Sequence, residues 1–168
     1  RVPRAKTNAQ MLAELDARAG NDERLKRIVL KRFDRARVLL SSGDAELAVP
    51  LFRDHVPVNA RNYGPEHFYT RRAQGMLGVA LWRTGDPAAR QEALAHLRVA
   101  IEAIFLPANA DYQDNLYSLK EVRDQIFAAY LEAVSRLDPA GASQALAVAE
   151  MARGSATQDA LTDAAVRA

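Results

Sequence analysis

Residues 76–86 read MLGVALWRTGD, in which a glycine stands inside a segment that otherwise has the character of a helix interior. Glycine is about 1 kcal/mol less favourable than alanine in a helix, so Gly78 needs a reason. Two antiparallel helices approach each other more closely where one of them carries no side chain. We therefore expect a second helix to pack against Gly78, and Gly85-Asp86 to form the turn between the two helices.

Apolar residues recur with the period of a helix along the whole chain, and no segment alternates with period two over the length of a strand. Alanine is abundant and β-branched residues are sparse, which also favours helix. We expect an all-α protein of about seven or eight helices. The predicted helices cover residues 8–19, 23–41, 45–60, 65–84, 88–105, 116–137 and 143–153, and a shorter one begins at residue 155.

Two prolines, Pro50 and Pro57, lie past the first turn of the third predicted helix. A proline in a helix interior removes a hydrogen bond and kinks or ends the helix. We therefore expect a bend or a break there. A third proline, Pro65, follows Gly64 and is predicted at the first position of the next helix, where proline is well tolerated.

The residues around Gly78 occur in a fixed order within residues 71–107. This order is Leu77-Gly78, Leu81, Gly85-Asp86, Ala93, Leu97, Ala100 and a terminal Pro107. It looks like a tetratricopeptide repeat (TPR), whose pattern is a Leu-Gly pair, a Gly-Asp turn, an alanine opening the second helix, alternating large and small residues, and a final proline. The unit departs from this pattern by about three extra residues, which we expect in the turn around residues 87–90.

Weaker copies of the unit flank it. Upstream, the matching residues are Ala36, Leu39, Gly43-Asp44, Ala48 and Phe52. The two Gly-Asp turns lie 42 residues apart, whereas the simple repeat has a period of about 34 residues. Residues 60–86 resemble the longer repeats of the kinesin light chain type, which carry a similar Tyr-Gly-Pro-Glu-His link. Residues 116–153 keep only the helical periodicity, a Pro-Ala-Gly turn and small residues at Ala145, Ala149 and Ala152.

The resemblance implies one domain of stacked antiparallel helix pairs in a right-handed superhelix. Its parts are an extra N-terminal helix (1–20), a weak repeat (23–62), the clear repeat (66–107), a degenerate repeat (116–153) and a C-terminal helix (155–168). The alternative is an irregular helical bundle with one coincidental Leu-Gly pair. Because the chain starts at Arg1 rather than Met, we expect it to be part of a longer protein.

Residues 145–161, ALAVAEMARGSATQDAL, are similar to the last helices before the caspase-like module of bacterial CHAT-domain proteins. The matching positions are Ala149, Glu150, Arg153 and Leu161. This resemblance implies that the chain is the adaptor or sensor region of a larger bacterial protein.

The sequence offers no catalytic constellation. The absence of cysteine excludes disulfides, thiolate metal sites and a cysteine nucleophile. The histidines, His55, His67 and His96, have no second ligand at metal-binding spacing, and His96 is expected to be exposed. No glycine-rich phosphate loop is present, and the acidic residues at 111–115 lack the pattern of a calcium loop. We expect no catalytic, metal or cofactor site and no enzyme activity.

The strongest charge feature is residues 24–37, RLKRIVLKRFDRAR, which contain seven basic residues and one acidic residue. At helical spacing, one basic stripe is formed by Arg24, Arg27, Lys31 and Arg35. This stripe fits docking of an acidic peptide, a phosphorylated partner or nucleic acid, or a solvated face neutralised by neighbouring helices. No aromatic residues are interleaved to stack on bases, which disfavours nucleic acid.

The TPR resemblance implies that the first helix of each pair lines a concave groove. The residues that it places there are Phe33, Arg37, Arg72, Val79, Trp82 and Arg83, with Trp82 alternatively a core residue. Arginine is a good clamp for carboxylates, so the expected partner is a protein or an acidic peptide. The alternatives are a regulatory domain that binds nucleic acid or another polyanion through residues 24–37, and a purely structural oligomerisation domain. With no signal peptide or membrane span in the sequence, the cytoplasm is the default location.

Overall fold

The computed structural model describes residues 32–104, 116–141, 143–151 and 153–154. Every regular element within these residues is helical, which confirms the all-α prediction. The helices are α1 (Arg32–Ser41), α2 (Ala45–Tyr63), α3 (Phe68–Arg83), α4 (Pro87–Ile104) and α5 (Leu116–Leu137), and a 3₁₀ turn follows at Pro139–Gly141. Residues 143–151 and 153–154 form a further helix, α6. The helices predicted at 8–19 and from residue 155, and the part of the second at 23–31, lie outside the described residues.

The start of α3 differs from the prediction. Gly64 and Pro65 belong to a turn, and α3 begins at Phe68 rather than at Pro65. His67 occupies the N-cap position, where its Nδ1 accepts a hydrogen bond of 3.2 Å from the Tyr69 backbone N–H. A side-chain acceptor at this position satisfies one of the free N–H groups of the first helical turn.

The extra residues of the clear repeat lie in a helix rather than in a turn. α4 already begins at Pro87, so residues 87–90 lengthen this helix by one turn. The Asp86 carboxylate caps α4 by accepting a hydrogen bond of 3.0 Å from the Ala88 N–H. Gly85, with φ of +76°, ends α3 in the left-handed conformation that glycine adopts readily. The Gly-Asp pair therefore forms the predicted turn.

Of the bend or break predicted in the third helix, the break is wrong, because α2 is continuous over 19 residues. Pro50 and Pro57 are both exposed and lie seven residues apart on one side of the helix. The carbonyl groups that lose their helical donors belong to Glu46 and Arg53, which are also exposed. Water can bond to these carbonyls, so the prolines are tolerated where they would end a buried helix.

The core lies along the apolar faces of the helices. The packing residues of the clear repeat that are buried are Leu77, Gly78, Leu81, Ala93, Leu97 and Ala100. In the flanking helices, the buried residues include Ala36, Leu40, Ala48, Phe52, Val122, Ile126, Tyr130, Ala133 and Val134. These residues form one continuous hydrophobic core that joins α1 through α6.

α3 and α4 form an antiparallel pair that packs closely at Gly78. A Cβ atom added to Gly78 would lie 2.8 Å from Leu97 Cγ and 3.0 Å from the Ala93 carbonyl oxygen. On Gly75, one turn earlier, an added Cβ would lie 2.9 Å from Ala100 Cβ. The contacts run in opposite directions along the two helices, which shows that the pair is antiparallel. The expectation that a second helix packs against Gly78 is confirmed.

α3 and α5 run parallel to each other. A Cβ atom added to Gly75 would lie 2.5 Å from Ile126 Cδ1. Farther along, Trp82 Nε1 donates a hydrogen bond of 3.0 Å to the Glu132 carboxylate. The residue numbers of both contacts rise together, so α5 lies beside α3 in the same orientation.

The helices form two layers, and every second helix along the chain belongs to the same layer. The Arg72 guanidinium of α3 lies 4.5 Å from the centre of the Phe33 ring of α1, and α5 packs against α3. Arg53 of α2 forms an ion pair of 2.7 Å with Glu92 of α4. We call α1, α3 and α5 the odd layer and α2 and α4 the even layer.

We expect Gly78→Ala to lower the free energy of unfolding by about 1–2 kcal/mol. Overpacking costs about 1–3 kcal/mol, and alanine regains up to about 1 kcal/mol of helix propensity. Gly154→Ala is the matched control, because Gly154 is helical and has no atom within 4 Å of an added Cβ. This control should keep or raise stability in urea unfolding followed by circular dichroism. Wild-type stability for Gly78→Ala would contradict the close approach.

We expect Pro50→Ala or Pro57→Ala to raise the free energy of unfolding by about 2–3 kcal/mol. Alanine restores an N–H donor and gains about 3 kcal/mol of helix propensity, of which greater freedom of the unfolded chain offsets about 0.4–1 kcal/mol. Pro87→Ala, at the first position of α4, should gain nothing. Thermal unfolding of the three variants measures the difference, and a loss of stability at Pro50 would mean that the proline fixes the shape of α2.

Candidate functional site

The six predicted groove residues divide into core and surface. The buried ones are Phe33, Val79 and Trp82, and those with accessible side chains are Arg37, Arg72 and Arg83. Phe33 packs edge-on against Phe52 with 5.6 Å between the ring centres. Val79 is fully buried, so it offers no surface to a peptide, and its assignment to a groove is wrong.

Trp82 connects three helices at the edge of the core. Its ring is 7% exposed, and its Nε1 donates to Glu132. The guanidinium groups of Arg90 and Arg136 lie 5.6 Å and 5.9 Å from the ring centre. These contacts occupy the polar edge of the indole and place two cations beside its ring. Trp82 is therefore a core residue, as the alternative interpretation of the sequence held.

Arg72, near the start of α3, is held by two aromatic rings. Its guanidinium lies 4.5 Å from the centre of the Phe33 ring and 5.1 Å from that of Tyr69. Its Nε atom is buried and makes no hydrogen bond. In the part of the chain that the structure describes, no carboxylate forms an ion pair with it. Burial lowers the pKa of Arg72, but an arginine stays charged at neutral pH.

Arg37, on α1, pairs with a carboxylate from the far side of the odd layer. Its Nη2 donates a hydrogen bond of 2.8 Å to Glu121 of α5, 84 positions away. Asp34, one turn earlier on α1, lies 3.9 Å from Nη1. The Arg37–Glu121 pair therefore joins α1 directly to α5.

The charges of these residues act on one another. Besides burial, Arg37 lowers the pKa of Arg72, and Asp34 raises it. An open depression of about 360 Å³ beside them is lined by Asp34, Arg37, Val38 and Ser41. We call the set formed by Phe33, Asp34, Arg37, Tyr69, Arg72 and Glu121 the arginine site.

Aromatic side chains border the arginine site at the start of α3. Tyr63 and His67 stack with 5.0 Å between ring centres and 21° between planes, and Tyr69 lies 5.3 Å from both rings. Tyr63 is 52% exposed, so the aromatic border reaches solvent. The arginine site thus offers cationic groups and flat apolar faces together, a combination that suits peptide side chains.

Three members of the arginine site, Asp34, Tyr69 and Glu121, were not identified as site residues from the sequence. Tyr69 lies three residues before Arg72, a spacing that places side chains next to each other on a helix, and this signal was available. Glu121 has no local signal, because its partner Arg37 is 84 positions distant. Glu121 becomes the partner of Arg37 only through the way in which α1, α3 and α5 pack together.

The predicted basic stripe is described only in part. Arg24, Arg27 and Lys31 lie outside the described residues, and Arg35 is half-buried on α1. His96, expected to be exposed, is half-buried with Nε2 3.7 Å from Glu92. Burial lowers its pKa, against the opposite effect of Glu92.

Among the described residues, no three His, Asp or Glu side chains are grouped as metal ligands would be. No helix in this part of the chain is both long and apolar enough to cross a bilayer. In comparisons with protein families, curated proteins and solved structures, the chain matches none of them. A function is therefore inferred from the arginine site itself.

We expect Arg72→Met to change the free energy of unfolding by less than about 1 kcal/mol. The variant loses a cation–π contribution of about 0.5–1 kcal/mol but no longer buries a charged group without a hydrogen bond at Nε. Methionine also keeps apolar contact with both rings. Phe33→Ala, in contrast, should cost about 3–5 kcal/mol. Urea unfolding measures both, and a loss above about 2 kcal/mol for Arg72→Met would make Arg72 a structural residue.

Proposed function

We propose that this chain is a non-catalytic scaffold that binds an acidic peptide segment of a partner protein at the arginine site. The observation that carries the proposal is Arg72, a half-buried guanidinium fixed on two rings and without a carboxylate partner among the described residues. Burying a charge is unfavourable unless the charge is paired. A carboxylate supplied by a partner would complete this interaction.

The geometry of Arg72 supports a carboxylate as the ligand. The Phe33 and Tyr69 rings lie 4.5 Å and 5.1 Å from the guanidinium carbon, and aromatic rings do not accept N–H donors as a carboxylate does. Arginine binds a carboxylate through two such donors at once. The rings restrict the side chain before the ligand arrives, so less conformational entropy is lost on binding.

We further propose that the helices form a TPR-like right-handed superhelix. The antiparallel α3–α4 pair, the parallel α3–α5 neighbours and the two layers support this arrangement. In TPR repeats the first helices line the concave face, and these correspond to α1, α3 and α5. The arginine site lies on this odd layer, where a TPR ligand would be bound.

The similarity of residues 145–161 to CHAT-domain proteins extends the proposal. It assigns the chain to the adaptor or sensor region of a longer bacterial protein. This part of the proposal rests on the sequence resemblance. A reading frame that continues into a domain with a paired histidine and cysteine would support it, and any other following domain would contradict it.

We expect short random peptides selected by display on the wild-type chain to be enriched in Asp and Glu. Arg72→Met should weaken binding of the selected peptides by at least about tenfold, because a hydrogen bond to a charged group contributes about 1.5–3 kcal/mol. Arg53→Met is the matched control, since it removes the same charge from the even layer. Fluorescence polarisation with labelled peptides measures the three dissociation constants.

Three results would contradict the proposal. They are failure to select any peptide, selection of peptides without acidic residues, and equal weakening by Arg72→Met and Arg53→Met. Binding of a single-stranded oligonucleotide with a steep salt dependence would instead favour the polyanion alternative. Concentration-dependent light scattering without peptide binding would favour the oligomerisation alternative.

A further inference from the structure

Arg37, the second cation of the arginine site, is already paired with a carboxylate of the protein itself. Glu121 accepts the hydrogen bond from Arg37 Nη2 in the way that an acidic residue of a ligand would. Arg72, beside it, has no such partner among the described residues. The two arginines of one site are therefore in different states, one closed by an internal carboxylate and one open.

The two partners of this ion pair are not equally exposed. The Arg37 side chain is 18% exposed, whereas that of Glu121 is 55% exposed. Asp34 lies close to the Arg37 guanidinium, and this helps to hold it in place. The other carboxylate oxygen of Glu121 accepts a hydrogen bond of 3.1 Å from Gln125 on the same helix, so Glu121 keeps a partner when it leaves Arg37.

We infer that Glu121 is an internal competitor of the acidic ligand, which binds with one carboxylate at Arg72 and replaces Glu121 at Arg37 with another. This inference rests on the proposed function and specifies its ligand. A ligand with at least two nearby carboxylates can bind both arginines, whereas a ligand with a single carboxylate binds only Arg72.

A ligand must displace Glu121 from Arg37 before it can bind both arginines. An exposed or partly exposed ion pair is weak, so a ligand carboxylate can displace Glu121. The displaced charge also stays near the site and repels a ligand of the same sign. Removal of the Glu121 charge should therefore strengthen binding of an acidic ligand, although it removes a native contact.

The alternative role of Glu121 is a brace that ties α1 to α5. A brace predicts the opposite result, because its removal would loosen the odd layer and weaken binding. The sign of the change in affinity thus separates a competitor from a brace.

The test uses fluorescein-labelled octaglutamate and, as a neutral probe, octaglutamine. Glu121→Gln should bind octaglutamate about two- to fivefold more tightly than the wild type, the range expected for loss of one weak ion pair. Octaglutamine should bind the wild type and Glu121→Gln with equal affinity. In the Arg37→Met background, Glu121→Gln should bring a smaller gain, because no competition for a cation remains and only the repulsion by the Glu121 charge is removed.

Glu92→Gln is the matched control. It makes the same change in charge at an ion pair of 2.7 Å in the even layer, with Glu92 43% exposed. A gain from overall charge would appear equally in both variants, and such equality would overturn the inference. Glu121→Asp, which keeps the charge but shortens the side chain, guards against a fold defect and should give a smaller gain than Glu121→Gln.

The outcomes separate this inference from the proposed function. If octaglutamate binds, depends on Arg72 and is held no more tightly by Glu121→Gln, the inference fails and the function stands. If neither protein binds octaglutamate or any displayed peptide, both fail. Weaker binding by both Glu121→Gln and Glu121→Asp would identify Glu121 as a brace and overturn the inference.

Discussion

The rest of the structure depends on the close approach of α3 to its two neighbours. Gly75 and Gly78 leave no room for a Cβ atom, because Ala100, Leu97 and Ile126 occupy the space where it would lie. Two large apolar side chains therefore pack directly against the α3 backbone. Their burial contributes about 1.5–3 kcal/mol each, which more than offsets the low helix propensity of each glycine. This contact fixes α3 between α4 and α5 and so fixes the position of Arg72.

Much of the fold could be predicted because it is determined locally. The helical period identifies which residues of α4 and α5 are buried, and a Leu-Gly pair before a Gly-Asp turn predicts the close contact at Gly78. Gly75 could not be recognised in the same way, because its partner Ile126 lies on a helix that is distant in sequence. The break in α2 was wrongly predicted because the rule for prolines was applied without regard to exposure. Pro50 and Pro57 lie opposite Ala48 and Phe52, on the side that meets water.

For the candidate site, the sequence could predict the helix faces that carry it but not the contacts between its side chains. Helical register indicates which residues of α1 and α3 share one face of their helix. It does not indicate how closely the neighbouring helix covers that face. Short apolar side chains such as Val79 are enclosed by that packing. Arginine stems are long enough to pass apolar neighbours and bring the charged group to the surface, which explains why Arg37 and Arg72 remain accessible. The pairing of Arg37 with Glu121 arises only when α1 and α5 come together in the folded chain.

The arginine site places two like charges near each other in a partly buried setting, an arrangement that is unfavourable unless compensated. Glu121 and Asp34 neutralise Arg37, whereas Arg72 is compensated by aromatic rings alone among the described residues. The rings supply apolar contact and a weak electrostatic attraction, but they cannot accept the N–H donors as a carboxylate does. Among the described residues, one cation is therefore neutralised, which limits the repulsion, and the other keeps unused hydrogen-bonding capacity. An acidic ligand is the chemistry that this imbalance favours.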